Sequence, residues 1–413
     1  MLGVPRSLQS HLQPFFESLD RKPASSRFAT IGAVVLAAGY SSRMGAFKPL
    51  LKLGLEPAVK RAVWCLEDAG ISSIAVVTGH RAAEVSEVLG STAATTVHNP
   101  DFAKGMFSSI QHGVAALPPN LDGFFLLPAD CPLVAVSTIA KVLEAFQETR
   151  HGIIHPVFQG ERGHPPLIAA RYIPEILEGE YAGGLRELLD HHEQDALEVP
   201  VEDEAILLDM DHVDDYRRLV DYWRKQAIPS VKECSRLLRD EAVPQQVVQH
   251  LQAVAGLALA WTRALNRAGC QLSDEAVVAG ALLHDMARTE PHHAAEGARR
   301  LRRRGYPLVA DIVAVHMDVD EGYQGLDPGL GEAGQPGIAE AEVVYLADKV
   351  MCGTQQVSIS QRLESVEVRF RRQPEALAAA CRRLHNAEII AAKLERALGK
   401  PLGEVEPWVV ELE

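Results

Sequence analysis

What the sequence lacks narrows its function before any motif is read. Its six cysteines (Cys65, Cys131, Cys234, Cys270, Cys352 and Cys381) are scattered and show no C-x-x-C spacing. That excludes a disulfide framework or a cysteine-based structural zinc site and suggests reduced thiols. No apolar run is long enough to span a bilayer, so no membrane partner is expected. The first residues show no basic stretch followed by an apolar core, so no secretory signal is apparent and a cytoplasmic location is expected. Excess positive charge is also missing. The formal net charge is -14, which argues against a nucleic-acid surface. The one dense basic run, Arg299, Arg300, Arg302, Arg303 and Arg304, reads as a solvated helix face. What remains is a chain of 413 residues, 47% hydrophobic and 23% charged, which is a globular composition with room for two or three domains.

The most informative stretch runs from Ile31 to Lys48. Ile31 to Leu36 is a short apolar, β-branched run, as in a buried parallel strand. It breaks into Ala37-Ala38-Gly39, residues too small to keep a ligand from the backbone, whose N–H groups can face phosphate oxygens. Arg43 and Lys48 add positive charge five residues apart, where a triphosphate would lie. Alternating strands and helices follow, with a helix expected from Pro57 to Ala69 and strands at 74–78, 94–97 and 123–128. This alternation predicts a doubly wound, Rossmann-like α/β sheet. Ser108 and Ser109 fall at a helix start after Gly105, where hydroxyls commonly cap free N–H groups. The strand Gly123 to Pro128 delivers Asp130 to its C-terminal end, the ligand-binding edge of open α/β sheets. A carboxylate beside a triphosphate is a natural Mg²⁺ ligand. Residues 153–168 read as strand, turn and strand, and Ala205 to Asp211 as a last strand ending in acids. His80 reads as a turn residue, and residues 1–29 as an extension with a short helix at 12–19 and no assigned chemistry.

The string LAAG-x-S-x-RMG-x-x-K resembles the signature of nucleotidyltransferases that activate sugars and cofactors. Among these it is most similar to the molybdenum cofactor cytidylyltransferases, over residues 31 to about 222. The NP-x-F-x-x-G-M-x-SS-I, PAD-x-P and G-x-x-GHP-x-L segments support the resemblance. It implies a nucleotide loop at Leu36, Ala37, Ala38 and Gly39, with Arg43 and Lys48 on the phosphates and Gly105, Ser108 and Ser109 alongside. It implies a Mg²⁺ ligand at Asp130, completed by Asp209 or Asp211, and acceptor contacts at His164 and Arg186. His212-Val213 replaces Thr-Pro in the family's closing motif, which retains both acids but alters the loop between them and the next helix. The implied reaction moves CMP from CTP to molybdopterin, and a molybdenum hydroxylase is the implied downstream partner. A sugar- or alditol-phosphate acceptor is the alternative.

After the polar linker Arg224 to Ser230, strand-like runs become rare and Ala/Leu/Arg helices dominate. His250, the pair His284-Asp285, His316 and Asp348 each interrupt an apolar helical run. Ionisable groups in an apolar interior are costly unless paired or bound to metal, and imidazole with carboxylate suits Mn²⁺, Fe, Co²⁺ or Zn²⁺. This half resembles the HD superfamily of metal-dependent phosphohydrolases over 245–355. That implies a metal set of His250, His284, Asp285 and Asp348, with Asp285 catalytic, and His293 and His316 for a second ion. Arg288 stands where the family commonly has lysine, and Met317 where many two-metal members have histidine. A purely nucleotide-binding, regulatory HD domain is the alternative. Residues 319–340 read as a Gly/Pro-rich acidic surface loop, and the helices after 360 as a solvated closing segment. The expected layout is an extension at 1–29, an α/β transferase domain at 30–225 and an all-α HD domain at 231–400.

Overall fold

The computed structural model describes residues 29–54, 56–317, 337–410 and 412. The extension expected at 1–28, with its short helix, lies outside the described residues, as does most of the acidic loop (318–336). The chain divides into two compact units, Met1–Tyr222 and Trp223–Glu413. Among the described residues no helix is long and apolar enough to cross a membrane.

The first unit is built on one twisted sheet. Its strands are β1 (Ile31–Ala37), β4 (Ser73–Thr78), β5 (Thr95–His98), β6 (Gly123–Pro128), β7 (Ile153–Phe158), β8 (Glu161–Arg162), β9 (Leu167–Ala169) and β10 (Ala196–Pro200). A small hairpin, β2 (Lys52–Leu53) with β3 (Glu56–Pro57), stands apart. The order across the sheet is β10-β7-β9-β6-β1-β4-β5, with β8 on β7. β1 runs parallel to both β4 and β6, whereas β9 is antiparallel to β6 and β7, so the sheet is mixed. The chain leaves β1 toward β4 and β5, then crosses back to β6 on the other side. The β1/β6 junction is therefore the switch point where such sheets hold ligands, at the strands' C-terminal ends.

Helices α1 (Ala58–Asp68), α2 (Ala82–Val88), α3 (Met106–Ala115), α4 (Val136–Glu148), α5 (Ile173–Glu178), α6 (Leu185–His191) and α7 (Val213–Arg224) complete this unit. Side chains alternate across a strand, so β1 feeds two cores. Ala33 and Val35 pack with Val59, Val63 and Ile139 on one face. Val34 packs with Ile110, Val114 and Ile173 on the other. α3 lies so close to the sheet that a methyl on Gly113 would fall 2.4 Å from Val34 Cγ1, which requires glycine there. A third cluster, Met44, Leu53, Ala58, Met210, Tyr216 and Leu219, ties the loop after β1 to the segment before α7.

That last segment departs from the expected strand. Residues Glu204–Leu207 form a 3₁₀ turn and 208–211 pair with no strand. Asp203 accepts the Ala205 N–H at 3.1 Å, which starts the turn and diverts the chain from the sheet. Ile206 O accepts a backbone bond from His164 N at 2.9 Å.

The second unit is helical: α8 (Val231–Asp240), α9 (Gln245–Arg267), α10 (Asp274–Leu283), α11 (His293–Arg303), α12 (Pro307–Val315), α13 (Glu340–Lys349), α14 (Ile359–Phe370) and α15 (Pro374–Leu398). Serine caps start three of them, with Ser230, Ser273 and Ser358 each accepting a backbone N–H of the first turn. α10 is buried from Ala276 through Leu283, the all-round apolar pattern of a central helix. A two-stranded hairpin, β11 (Met351–Cys352) and β12 (Gln355–Gln356), follows α13.

Candidate functional site

In the first unit the chain leaves β1 at Ala37 and turns over the sheet edge. Ala38 O accepts His80 N at 3.1 Å and Leu36 O accepts Ala129 N at 3.0 Å, anchoring the loop to the strand ends on both sides. A methyl on Gly39 would meet nothing within 4 Å, so the loop has an open face. Ser41 Oγ accepts Lys48 N at 3.1 Å and fixes the far end of the loop.

Burial of Met44 and Met210 in one cluster brings the loop and the 209–211 segment together. Lys48 Nζ lies 3.0 Å from Asp130 Oδ2 and 2.6 Å from Asp211 Oδ1. Arg43 Nη1 lies 3.4 Å from Asp211 Oδ2, and its side chain is largely exposed. Burial works against the Lys48 charge, but Asp211 and Asp130 outweigh it and raise its pKa. The Lys48 hydrogen bond lowers the Asp211 pKa, whereas burial raises that of Asp209. Two carboxylates thus converge on one point at the C-terminal edge of β1 and β6, an oxygen set that fits a hard divalent cation.

His164 lies half-buried near this point. Burial lowers its pKa and the Asp130 charge opposes the shift, while its Nδ1 has no hydrogen-bond partner among the described residues. Ser108 and Ser109 do not cap α3. Their hydroxyls accept from Asn99 Nδ2, each at 3.0 Å, and Ser108 Oγ also donates to Gly105 O at 2.9 Å. The helix begins right after Gly105 (φ 112°), which places both serines inside its first turn and not before it. Arg186 is exposed on α6, 4.0 Å from Asp190, and among the described residues forms no ion pair with the Lys48 group.

The second unit collects six predicted residues in one buried cluster. His250 Nε2 lies 3.1 Å and His284 Nε2 3.5 Å from Asp348 Oδ1. His293 Nε2 lies 3.3 Å and His316 Nε2 3.5 Å from Asp285 Oδ1. Candidate ligand atoms of His250, His284 and Asp285 lie within 4.8 Å of one another, and so do those of Asp285, His293 and His316. Asp285 belongs to both groups. The Nδ1 atoms of His250, His284 and His316 meet the carbonyls of Gly353, Ala281 and Val313 at 2.8, 2.8 and 2.7 Å. Such bonds turn Nε2 inward as the free lone pair, the usual arrangement of metal-binding imidazole. Among the described residues His284 Nε2 is buried without a hydrogen-bond partner, which suits a metal-binding atom. Burial opposes the charges on Asp285 and Asp348, yet the surrounding imidazoles with Arg288 and Lys349 hold both carboxyls below the usual range. The cluster opens into a cavity of about 740 Å³.

Residues 33–196 match the family model described as the MobA-like NTP transferase domain, and residues 247–351 match that of the HD domain. The chain carries a MobA-like NTP transferase domain followed by an HD domain. The first is a nucleotidyltransferase domain, and the protein is an enzyme. Over 197 residues the chain is 29% identical to the molybdenum cofactor cytidylyltransferase of Escherichia coli (strain K12), covering 46% of this chain and 94% of that protein. The bifunctional protein GlmU of Geotalea uraniireducens (strain Rf4) is 32% identical over 132 residues, 30% of this chain and 27% of that protein. The chain therefore spans about a quarter of that relative. A solved nucleotidyl transferase from Methanothermobacter thermautotroptrophicus is 26% identical, covering 48% of this chain and 98% of that one, with a TM-score of 0.43.

Sequence reasoning missed several residues around these sites. In the transferase domain Asn99 holds the serine pair and Ser41 holds the signature loop. In the HD domain Lys349 Nζ bonds Asp348 Oδ2 at 2.6 Å and His316 O at 2.8 Å, tying two ligand-bearing segments together. Its adjacency to Asp348 was the available signal. The arginine run on α11 is paired with acids, Arg300 with Glu241, Glu290 and Glu296 and Arg304 with Glu241. The expected solvated closing segment fits α14, which buries no residue, but not α15, which buries Leu384, Ile390 and Leu394; both helices also line the HD cavity.

Proposed function

We propose that the transferase domain moves CMP from CTP to molybdopterin. The observation that carries this is the convergence of Asp130 and Asp211 on Lys48 beside the open face of the Gly39 loop. A phosphate oxygen of the acceptor attacks the α-phosphorus of the nucleotide and pyrophosphate leaves. Such transfer depends on in-line positioning and on neutralising charge more than on a covalent nucleophile. Backbone N–H groups at Leu36 to Gly39 cradle the phosphates, and Arg43 and Lys48 neutralise them. Asp130 and Asp211 are the ligands for Mg²⁺, which supplies further charge neutralisation when bound. His164, next to Asp130, serves the acceptor. The 29% identity to a molybdenum cofactor cytidylyltransferase supports this choice of substrates.

The HD domain, in this reading, is a metal-dependent phosphohydrolase. His250, His284, Asp285 and Asp348 hold one divalent ion, and Asp285, His293 and His316 a second. Bound metal supplies an activated water and polarises a phosphoryl oxygen. Lys349 and Arg288 keep the two carboxylates ionised and in place. The test is the metal content of chelated, full-length protein titrated with Mn²⁺. Two ions are expected in wild type, one in His250→Ala and one in His293→Ala, with both sites weakened in Asp285→Asn. A wild type that binds one ion would contradict the shared-carboxylate arrangement.

A further inference from the structure

The cavity above the HD ligand cluster narrows the class of substrate, given the phosphohydrolase reading on which this inference rests. Its volume, about 740 Å³, suits a nucleotide-sized ligand. One wall comes from α14 and α15, beyond residue 351, where the HD family match ends. Arg362, Ser365, Val366 and Arg369 line it from α14 at positions i, i+3, i+4 and i+7, one face of the helix. Arg383 joins from α15, and Arg288 and Lys349 stand beside the ligand cluster. The two carboxylates in the lining, Asp285 and Asp348, both belong to that cluster.

Arg362 and Arg369 make no ion pair among the described residues. The contrast with α11 is direct, since Arg299 and Arg300 are each bonded to Glu296 there. Arg369 lies over the Phe370 ring at 5.2 Å and stays exposed, so both guanidinium groups are accessible on one cavity wall, and guanidinium is suited to phosphate. Val247, Val366 and Leu384 leave an apolar strip for an uncharged part of the ligand.

We propose that the HD site takes a substrate with two or more phosphoryl groups in a row. The phosphorus attacked lies at the ligand cluster, and the neighbouring phosphoryl groups lie against Arg362 and Arg369. Water supplies the oxygen of the new P–O bond, the bond from that phosphorus to the leaving oxygen breaks, and a proton from water goes to the leaving group or to solvent. Two sources share this chemistry, a nucleoside di- or triphosphate and the inorganic pyrophosphate that nucleotidyl transfer releases.

The experiment uses full-length, Mn²⁺-loaded Asp130→Ala protein, so that the transferase domain consumes no nucleotide. Its substrates are nucleoside mono-, di- and triphosphates of all four bases, inorganic pyrophosphate and bis(p-nitrophenyl) phosphate. At least one polyphosphate is expected to exceed its monophosphate at least tenfold in kcat/KM. Adding Arg362→Gln and Arg369→Gln is expected to raise the KM for it at least tenfold, lower kcat less than threefold and erase the preference. Turnover of pyrophosphate as fast as of nucleotides would point to the inorganic source, and selective turnover of nucleotides to the organic one. Mono- and polyphosphates hydrolysed alike, or an unchanged KM in the double variant, would overturn the proposal. Failure to hydrolyse even bis(p-nitrophenyl) phosphate would instead overturn the phosphohydrolase reading beneath it.

Discussion

Asp211 reaches Lys48 across 163 residues of chain, and the bond depends on two buried methionines that no local pattern links. Asp130 was legible as a candidate acid because a strand ends just before it. Asp211 was legible only through its acidic neighbourhood, where Asp209 competed for the same role. The structure separates them, since Asp211 bonds Lys48 and Asp209 instead accepts the Asp211 N–H at 3.3 Å. Asp130→Ala and Asp211→Asn are each expected to lower kcat for pyrophosphate release by roughly 10²–10³-fold, the scale of losing one preorganised charge contact. Asp209→Asn should cost less than tenfold in the same assay, and an equal loss in all three would contradict the assignment.

His155 makes a separate prediction about pH. Burial on β7, helped by the Arg162 charge, pushes its pKa from 6.5 to about 4. Between those values the unfolded chain takes up a proton that the folded chain refuses, so stability falls as pH drops through this window. At pH 5 the loss from this group is roughly 2 kcal/mol relative to pH 7. Urea unfolding of wild type and His155→Gln at both pH values would reveal it. The variant should lose less stability between pH 7 and 5, and parallel losses would show that His155 carries no such linkage.

At the scale of elements, legibility followed local chemistry. The buried strands β1, β4 and β6 and helix α1 lie where apolar spacing placed them, whereas the caps expected at Ser108 and Ser109 do not form and Ser230, Ser273 and Ser358 cap other helices. The 205–211 segment was misread because its apolar run has the composition of a strand, while one side-chain bond from Asp203 decides its course. The face of α14 was hidden for another reason. Its arginines stay at least partly exposed, and only the position of α15 and the ligand cluster shows that they face one cavity. Gly256 in the middle of α9 gives a test of tertiary override. Helix propensity alone would make Gly256→Ala stabilising by up to about 1 kcal/mol. A methyl there, however, would lie 1.9 Å from Trp408 O, on the C-terminal segment whose Trp408 N bonds Gly256 O at 3.1 Å. The substitution should therefore lower the melting temperature by several degrees. A rise would mean that the C-terminal segment gives way at little cost.

For the whole molecule, composition and order revealed two chemistries in one chain, an α/β unit with oxygen ligands and a helical unit with imidazole and carboxylate ligands. The basic residues at both candidate sites are local exceptions on a chain of net charge -14, which is why bulk charge says little about either site. What the sequence could not reveal is which long-range pairs meet, because Lys48 with Asp211 and Asp285 with His293 and His316 are products of packing. The most direct test of the central claim is pyrophosphate release by the full-length protein with Mg²⁺ and molybdenum-loaded molybdopterin, comparing CTP, GTP and ATP. Release that requires both the pterin and CTP, and is lost in Asp130→Ala, is the expected result. No release with any of the three nucleotides, or equal release with all of them, would contradict the account.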